Sequence, residues 1–497
     1  MSTGVATQEL LQTLDTLSTS GQLPRHVTGI TQDSRRVKPG NVFAARHGGR
    51  ADGANYLKQA KEKGAVLLLV EGEPPPDAIL PVVEVKSFNP ALVKASGLIY
   101  ANPSRRLNLF GVTGTNGKTS TVHILRSIFE ATGSKCAMLS TVGYWTGTET
   151  IEAPLTTPEI DQISTILDDA ANGGAQFATM EVSSHALDKG RVWGLKFAGA
   201  GFTNLSVDHL DYHKTMLQYS IAKESFFRAL PLSATSSINI NSSWGSRMVR
   251  AAWGPVLTVG TDDSGADLRV SLREHTVAGG SYRLEWQDKV YDVSTKLVGV
   301  YQGENLAIAA AMALAKRIDP ATILKGIADL KAVPGRMEAV DCGQPFALFV
   351  DYAHSPDALQ RAIRSLRPLT KGKVLVMFGC GGERDKTKRP QMGKIASEEA
   401  DKVFITSDNP RTEDPTTITE EIYAGVWVED RPKVKVIVSR REATLAILRE
   451  ATAGDIVLLA GKGSEWYQEI NNIRHNYDDR IVAAEALHEV GFKERDK

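Results

Sequence analysis

Short runs of apolar residues recur along this chain, and each one stops at a cluster of Gly, Asp, Asn or Ser. Toward the C-terminus such runs predict strands at residues 347–350, 374–378, 403–406, 434–438 and 456–460. Mixed segments of helical length separate them, which is the rhythm of parallel strands alternating with helices. Because ligands of open α/β sheets bind beyond the carboxyl ends of the strands, we expect functional residues in the polar clusters.

The middle of the chain repeats this rhythm and adds a second pattern. An apolar run at 107–112 predicts a parallel strand, a helix follows over 119–131, and further strands are predicted at 177–181 and 199–203. Within residues 255–298 apolar and polar residues alternate instead, which is typical of antiparallel strands. The prediction is therefore an α/β fold whose central part is a doubly wound parallel sheet with added antiparallel strands.

The first hundred residues predict a small mixed domain, with strand-like runs at 64–70 and 81–85. The chain has 497 residues, and at roughly 100–200 residues per domain it should form about three domains. We place the domains at residues 1–105, 106–335 and 336–497.

Composition narrows the possible partners and the compartment. Lys and Arg total 58, as do Asp and Glu, so the formal net charge is zero, which favours neither nucleic acid nor a membrane surface. No apolar run reaches the length of about 18 residues that a membrane span needs. Cys136, Cys342 and Cys380 have neither metal-site nor disulfide spacing. Since the N-terminus also lacks a signal-peptide pattern, we expect a cytoplasmic protein.

A Gly-rich loop follows the strand at 107–112 and leads directly into the predicted helix. Its residues are Gly114, Thr115, Asn116, Gly117, Lys118, Thr119 and Ser120. The backbone N–H groups of such a loop hold phosphate oxygens, the lysine reaches the terminal phosphates, and the threonine binds Mg²⁺. The standard motif has Gly where Val112 stands, so a chance Gly-rich turn is the alternative. ATP binding fits an enzyme, but it also fits a nucleotide-gated switch.

The loop is the first of several motifs in a fixed order. These motifs occupy residues 113–120, 181–185, 204–213, 351–356, 408–411 and 461–465. Together they resemble the Mur ligases of peptidoglycan synthesis, and within that family the enzymes that join meso-diaminopimelate to UDP-N-acetylmuramoyl-L-alanyl-D-glutamate (UDP-MurNAc-L-Ala-D-Glu). The resemblance implies an N-terminal domain for UDP, a central ATP-binding domain and a Rossmann-like C-terminal domain for the amino acid. It also implies that the D-Glu γ-carboxylate attacks ATP to give an acyl phosphate, which the amine of the amino acid then attacks.

The resemblance further implies a catalytic centre with two magnesium ions. The matching catalytic residues are Lys118, Glu181, His209 and Lys223. The implied metal ligands are Thr119, Glu181, His209 and Lys223, the last as a carbamate. The residues matching further nucleotide contacts are Asn305, Arg336 and His354. From residue type alone, Glu181 also fits a capping carboxylate, His209 a structural histidine and Lys223 an exposed helical lysine.

The nucleotide-sugar dipeptide is expected to contact residues of the first two domains. The matching positions are Ser34, Gly49, Arg50, Ala51, Thr156, Thr157, Ser183, Lys189 and Arg191. Gly49, Arg50, Leu155 and Lys189 depart from the residues that many relatives carry. The threonine pair also fits a helix N-cap before Pro158.

The amino-acid side rests on a further set of matches. These are Arg384, Asp408, Asn409, Pro410, Arg411, Gly461 and Glu465. A guanidinium at 411 can pair bidentately with the extra carboxylate of meso-diaminopimelate, whereas an L-lysine site would gain from an acidic residue. The alternative for Arg411 is a surface salt bridge. We expect a monomer, and the rival functions are an L-lysine-adding ligase, a folylpolyglutamate synthetase and a non-catalytic nucleotide-dependent binding protein.

Overall fold

A computed structural model describes residues 4–46, 53–76 and 78–492. The contacts predicted for Gly49, Arg50 and Ala51 lie outside the described residues. None of the described helices is long and apolar enough to cross a membrane.

The elements follow one another in an alternation of strands and helices. The strands before the Gly-rich loop are β1 (Val5–Ala6), β2 (Thr16–Ser20), β3 (His26–Val27), β4 (Gly29–Thr31), β5 (Asn41–Ala45), β6 (Leu67–Glu71), β7 (Val82–Val85) and β8 (Asn108–Thr113). The next strands are β9 (Lys135–Ser140), β10 (Gly143–Trp145), β11 (Thr150–Ile151), β12 (Ala175–Glu181), β13 (Phe197–Phe202), β14 (Thr235–Asn239), β15 (Val256–Thr261), β16 (Leu268–Thr276), β17 (Gly279–Trp286) and β18 (Lys289–Thr295). The remaining strands are β19 (Glu338–Ala339), β20 (Ala347–Asp351), β21 (Val374–Phe378), β22 (Lys402–Ile405), β23 (Val434–Val436), β24 (Ile456–Ala460), β25 (Tyr467–Ile470) and β26 (Ile473–Asn476).

The helices are listed in the same order. The first are α1 (Thr7–Thr13), α2 (Leu57–Glu62), α3 (Phe88–Ile99), α4 (Lys118–Ala131), α5 (Ile160–Asn172), α6 (Ser184–Asp188), α7 (Leu210–His213) and α8 (Met216–Arg228). The rest are α9 (Gly245–Ala251), α10 (Gln302–Ala315), α11 (Pro320–Asp329), α12 (Pro356–Leu366), α13 (Lys388–Glu399), α14 (Pro415–Tyr423), α15 (Arg440–Glu450) and α16 (Asp479–Glu489).

The chain divides into two compact units. The first consists of residues 1–112, 133–200 and 225–234, and the second of the remaining residues. In the first unit a five-stranded sheet has the order β2-β7-β6-β5-β4 and is parallel except for β2. Apolar side chains of α1, α3 and α5 cover one face and those of α2 the other. Coverage of both faces explains why the strands read as continuous apolar runs.

The first unit also contains the parallel strands β9, β12 and β8 in that order, with β10 and β11 added antiparallel beside β9. In the register of β12 and β8, Glu181 lies opposite Val112. The end of β12 is therefore level with the point where the chain enters the Gly-rich loop.

In the second unit, β14, β15 and β16 are parallel neighbours, and β16, β17 and β18 form an antiparallel meander. The added antiparallel strands are thus confirmed, although they begin at β16, because β15 still pairs in parallel. Helix α10 is buried along most of its length and packs against α4. Its small and apolar residues allow that close packing.

The C-terminal sheet of the second unit has the order β19-β20-β24-β21-β22-β23 and is parallel except for β19. Helices α12, α13 and α14 pack on one face, and α15 and α16 pack on the other. This is the doubly wound arrangement that the strand-helix rhythm predicts, and it directs the carboxyl ends of β20, β24, β21 and β22 to one edge.

Candidate functional site

Two glycines shape the loop between β8 and α4. Gly117 precedes α4 with φ of +87°, a left-handed conformation that glycine adopts at little cost. A Cβ at Gly117 would lie 2.2 Å from Oδ1 of Asn305, a residue in the first turn of α10, and a Cβ at Gly114 would lie 1.8 Å from Thr203 Oγ1. These close approaches explain why glycine is required at both positions, while the phosphate-binding role of the loop stays a prediction.

Two lysine side chains converge on the carbonyl oxygen of Gly114. Lys118 Nζ donates to it at 3.0 Å and to Thr115 O at 2.8 Å, and Lys223 Nζ donates to the same Gly114 oxygen at 2.8 Å. Lys223 is 1% exposed, so the alternative of an exposed helical lysine is wrong. Burial, together with the Lys118 ammonium, holds the pKa of Lys223 well below its ordinary value. The environment therefore favours the neutral amine.

His209 is linked to the loop through Tyr219. The His209 and Tyr219 rings meet edge to face with centroids 6.1 Å apart, and Lys223 Nζ lies 4.7 Å over the same Tyr219 ring. The Tyr219 hydroxyl is 3.1 Å from Thr115 Oγ1, and His209 Nε2 is 3.6 Å from Asp208 Oδ2. Tyr219, which the sequence did not single out, thus lies among three of the predicted residues.

Arg336 contacts the first turn of α4 from the segment that precedes β19. Its Nη2 donates to Thr119 Oγ1 at 2.9 Å, and its guanidinium lies 4.2 Å over the Tyr352 ring. His354 Nδ1 is 2.8 Å from Tyr352 O, and burial lowers the pKa of His354. Arg336 and His354 therefore meet at Tyr352, and Arg336 reaches the predicted nucleotide loop directly.

Asp357, which sequence reasoning missed, contacts the loop from the first turn of α12. Its Oδ2 accepts hydrogen bonds from Asn116 Nδ2 at 3.0 Å and Ser206 Oγ at 2.9 Å, and its Oδ1 accepts one from Arg361 Nε at 3.1 Å. A signal was present, since Asp357 directly follows the motif at 351–356 and opens a helix, where acidic residues are favoured.

Glu181 ends β12 in the first unit and is 1% exposed. Its Oε1 accepts hydrogen bonds from Thr141 N at 2.8 Å and Thr141 Oγ1 at 3.1 Å. The side chain thus has the capping contact that the alternative expected. Its position at the carboxyl edge of parallel strands also fits the predicted ligand role.

Thr157 organises the turn that follows β12. Its Oγ1 donates to Glu181 O at 2.8 Å and accepts a hydrogen bond from Ser183 N at 3.0 Å, and its carbonyl accepts one from Arg191 Nη1 at 3.2 Å. The alternative that the threonine pair caps a helix is wrong, because α5 begins two residues beyond Pro158. Three of the residues predicted to contact the dipeptide are thus directly hydrogen-bonded to one another.

The other predicted dipeptide contacts in the first unit are spread more widely. Ser34 follows β4 and donates to Gln59 Oε1 at 2.5 Å. Lys189 ends α6, and its carbonyl accepts a hydrogen bond from Asn89 Nδ2 at 3.4 Å. Thr156 accepts a hydrogen bond from Thr141 Oγ1 at 3.5 Å.

Arg384 and Arg411 lie on loops that follow the neighbouring strands β21 and β22. A Cβ on Gly381 would lie 3.2 Å from Arg411 Nη1 and 3.7 Å from Arg384 Cγ, so both side chains flank Gly381. The loops interlock, because Gly382 N donates to Asn409 O at 2.9 Å and Arg411 Nη1 donates to Gly382 O at 2.5 Å. The arrangement brings the Arg411 guanidinium and the stem of the Arg384 side chain together at one sheet edge.

The hairpin β25–β26, which the sequence analysis did not predict, packs along the loop after β22. Gln468 Nε2 donates to Asp408 O at 2.7 Å, and Arg411 N donates to Glu469 O at 3.0 Å. Glu469 Oε2 is 3.6 Å from Arg411 Nε, and the Arg411 side chain is 18% exposed. Arg411 therefore forms an ion pair, as the alternative of a surface salt bridge expected, but the Arg411 side chain is largely buried.

The remaining predicted residues of this region surround a buried lysine. Asn409 Nδ2 donates to Glu465 Oε2 at 2.8 Å, and Lys462 Nζ lies 3.2 Å from that same oxygen. Asp408 Oδ2 would lie 2.7 Å from a Cβ at Gly461, so the two residues are in close contact. Sequence reasoning named every one of these residues except Lys462. Ser464 stands where the related motif commonly has histidine, and nothing in the structure explains that change.

Among the described residues, no three side chains of His, Cys, Asp or Glu cluster closely enough to form a metal site by themselves. A magnesium ion here would need oxygen ligands of other kinds, such as the Thr119 hydroxyl and phosphate oxygens. Those are the hard oxygen ligands that Mg²⁺ prefers.

Three family models match successive parts of the chain. They are described as Mur ligase family, catalytic domain (residues 26–109), Mur ligase middle domain (112–313) and Mur ligase, glutamate ligase domain (335–463). These matches confirm the predicted three-domain α/β fold, while the domain boundaries stay predictions.

Related proteins cover nearly the full length. A protein of Syntrophomonas wolfei named UDP-N-acetylmuramoyl-L-alanyl-D-glutamate--2,6-diaminopimelate ligase is 38% identical over 96% of this chain and 98% of its own. A solved structure with the same name is 31% identical, with a TM-score of 0.66 over 98% of this chain and 99% of that one. The MurF ligase from Thermotoga maritima in complex with ADP shares the fold, with a TM-score of 0.64, 18% identity and coverage of 93% and 96%.

Proposed function

The chain belongs to the Mur ligase family, and from that premise we propose that it joins meso-diaminopimelate to the D-Glu γ-carboxylate of UDP-MurNAc-L-Ala-D-Glu. This is the reaction for which the relatives of the MurE type are named. It is an ATP-dependent ligation that belongs to peptidoglycan precursor synthesis. The observation that carries the choice of amino acid is the pair of arginines, Arg384 and Arg411, around Gly381.

ATP provides the activation, and the loop between β8 and α4 holds its phosphates. The γ-carboxylate and the triphosphate are both anions, so their encounter needs concentrated positive charge. Lys118 supplies part of this positive charge. Its ammonium donates to two carbonyl oxygens of the loop, and its flexible side chain can turn the ammonium toward a bound phosphate. Asn305 and Arg336 flank the loop as the nucleotide contacts, and His354 adjoins Arg336 through Tyr352.

Two magnesium ions would complete the charge balance, and the donor set fits them in part. Following the family resemblance, the proposed ligands of the two ions are the Thr119 hydroxyl, the Glu181 carboxylate, the His209 imidazole and a carbamate on Lys223. The fit rests on Lys223, whose buried side chain and lowered pKa favour the neutral amine that reacts with CO₂. A carbamate there would replace the buried neutral amine by an anion that a metal ion can use. Glu181 and Lys118 then act with His209 and Lys223 as the catalytic group.

The two arginine side chains that flank Gly381 support meso-diaminopimelate over L-lysine. Arg411 is held by the Gly382 carbonyl and Glu469, so its remaining N–H groups have a fixed direction. A carboxylate would gain paired, charge-assisted hydrogen bonds there, whereas the ammonium of L-lysine would be repelled. Asp408 and Glu465 supply the acidic groups for the amine of the same ligand.

The nucleotide-sugar dipeptide would be bound by Ser34 of the N-terminal domain and by the turn of Thr157, Ser183 and Arg191. Ser34 follows a strand at its carboxyl end, where ligands of parallel sheets bind. Thr156 and Lys189 adjoin that turn and would add contacts. We propose that the enzyme acts as a cytoplasmic monomer with domains at residues 1–105, 106–335 and 336–497.

Phosphate release in an amino-acid panel tests the function. Purified protein with ATP, Mg²⁺ and UDP-MurNAc-L-Ala-D-Glu should release phosphate only when meso-diaminopimelate is added, and mass spectrometry should show the tripeptide product. Preferred use of L-lysine would overturn the amino-acid assignment. Turnover of a folate substrate would instead support the folylpolyglutamate synthetase, and binding of nucleotide without turnover would support a non-catalytic protein.

A further inference from the structure

A lysine ammonium is fully buried inside the proposed amino-acid site. Lys462 follows β24 and is 0% exposed, and its Nζ lies 3.2 Å from both Asn409 Oδ1 and Glu465 Oε2. Burying an ammonium is costly unless it is paired and hydrogen-bonded. Because its partners are two proposed ligand-binding residues, Lys462 is placed to control them.

The side-chain amide of Asn409 is held from three directions. Its Oδ1 accepts hydrogen bonds from Lys462 Nζ and from Glu469 N at 2.9 Å, while its Nδ2 donates to Glu465 Oε2. A flipped amide would turn its NH₂ group toward the ammonium, so Lys462 determines the orientation of Asn409. Both lone-pair directions of the amide oxygen are then used within the protein, and one N–H is left for a ligand.

Lys462 also sets the charge at the acidic end of the site. Burial would raise the pKa of Asp408, but the ammonium of Lys462 and the guanidinium of Arg440 outweigh it and the pKa is lowered. Burial raises the pKa of Glu465 although the same ammonium opposes that change. Arg440 is itself paired, with Asp479 at 2.6 Å. With both carboxylates ionised, Asp408 and Glu465 carry two negative charges, and the Lys462 ammonium beside them offsets one of the two.

We propose that Lys462 is a positioning residue that determines the amino-acid specificity of this site. Lys462 holds Asn409 and Glu465 in place and offsets one of the two carboxylate charges of Asp408 and Glu465. The remaining negative charge matches one ammonium group of the bound amino acid. Arg384 and Arg411 take the carboxylate of the same group, so the site selects an amino acid whose distal end is zwitterionic. The inference rests on the proposed function for the identity of that amino acid.

Kinetics of a charge-removing variant test the inference. Lys462→Met should raise the KM for meso-diaminopimelate by about tenfold or more, because a buried charged partner is lost, while the KM for ATP stays within about twofold. Lys462→Arg should recover part of the affinity. The matched control is Lys402→Met. Lys402 forms an ion pair with Glu450 at the start of β22, whereas the loop of Asp408 and Asn409 follows the end of that strand, so the control variant should keep the wild-type KM values.

A double variant shows whether Lys462 acts through Glu465. If it does, Lys462→Met combined with Glu465→Gln should raise the KM for the amino acid no more than the stronger single change. Fully additive effects, an unchanged KM in Lys462→Met, or equal increases in the KM for ATP would each overturn the proposal.

Folding defects are separated by a second neutral variant. Lys462→Gln can still donate to Asn409 and Glu465, and it should show the same selective rise in KM if Lys462→Met does not fold. If both neutral variants fail to fold while Lys462→Arg has wild-type KM, the ammonium serves folding alone and the proposal is wrong.

Failure of the proposed function would be recognised independently, in the wild type. If the wild type prefers L-lysine, the proposed function is wrong, and the same variants are compared with L-lysine as the substrate. A selective KM rise there would still support Lys462 as the positioning residue, and an unchanged KM would overturn it.

Discussion

Among single residues, Lys223 has the environment most at odds with its type. It is buried on α8, its amine lies against a loop carbonyl, and the Lys118 ammonium binds the same oxygen. A second cation beside Lys118 is unfavourable, which favours the neutral amine, and a carbamate formed on that amine would be attracted by the Lys118 ammonium and provide a metal ligand. The burial that makes the residue costly as an ammonium keeps its amine neutral, which is the form that reacts with CO₂.

Lys223→Ala should therefore abolish turnover, because no carbamate can form at residue 223. Added bicarbonate should not restore the rate, since the alanine side chain offers no amine. The measurement is phosphate release at saturating substrates. The control is Lys214→Ala, which removes an exposed lysine of the neighbouring segment and should keep the rate. A near-normal rate in Lys223→Ala would show that the assigned role is wrong.

The neighbouring threonines Thr156 and Thr157 should differ in their effect on stability. Thr157→Val removes the hydrogen bonds that the Thr157 hydroxyl makes with Glu181 O, Ser183 Oγ and Ser183 N, so the free energy of unfolding of the first unit should fall by about 1–3 kcal/mol. Thr156→Val loses only a long contact to Thr141 and should cost less than about 0.5 kcal/mol. Hydrogen exchange of β12 amides measures the difference, and equal losses would contradict the assignment.

At the scale of elements, α12 carries a carboxylate to the phosphate loop. Asp357 holds Asn116 and Ser206 with one oxygen, and Arg361 holds the other oxygen from the next turn of the helix. The negative charge is thereby partly offset by a cation and by the N-terminal end of α12. Helix α12 thus holds the loop residue Asn116 through Asp357, while the pairing of Asp357 with Arg361 offsets the negative charge next to the phosphate loop.

Asp357→Ala should raise the KM for ATP by about fivefold, since loss of one charged hydrogen-bond acceptor costs on the order of 1 kcal/mol. The KM for the amino acid should change less. Asp319→Ala is the control, because within the described part of the chain the Asp319 carboxylate at the start of α11 accepts hydrogen bonds only from the backbone N–H groups of Ala321 and Thr322. An equal increase in the KM for ATP in both variants would assign the effect to helix stability instead.

The elements that the sequence predicted are those whose burial pattern is regular. Strands β21 and β24 are buried on both faces and appear in the sequence as unbroken apolar runs, so their positions were correct within a residue or two. The hairpin β25–β26 was missed because its residues are exposed or half-buried and show no alternation. Its importance lies in hydrogen bonds to the loop after β22, which no local pattern encodes.

At the scale of the whole molecule, the motifs were predictable but several of their contacts were not. Arg336 and Thr119 are separated by 217 residues and Asn116 and Asp357 by 241, yet each pair is hydrogen-bonded. The sequence analysis named both Arg336 and Thr119, but of the second pair it named only Asn116 and not its partner Asp357. The partner emerges only from the packing, as with Lys462, whose burial depends on the hairpin and on the loop after β22.

Whole-chain stability toward acid should depend on His123, a buried residue of α4. Its Nε2 has no hydrogen-bond partner among the described residues, and burial, aided by Arg126 and Arg336, lowers its pKa from 6.5 to about 3. Since the unfolded chain binds this proton more readily, the contribution is fully present above pH 6.5. It is lost as the pH falls toward 3, by about 1.4 kcal/mol per pH unit.

His123→Leu removes that proton uptake, so its thermal midpoint should fall less than that of the wild type between pH 7 and about pH 4. The variant also replaces a buried ring nitrogen that lacks a partner by an apolar group of similar size, which should leave stability at pH 7 nearly unchanged or raised. His475→Leu is the control, because His475 is exposed on β26 and should leave the pH dependence as it is. If the thermal midpoint falls equally with pH in the wild type and in His123→Leu, His123 is protonated in the folded chain. In that case α4 tolerates a charge next to Arg126 and Arg336.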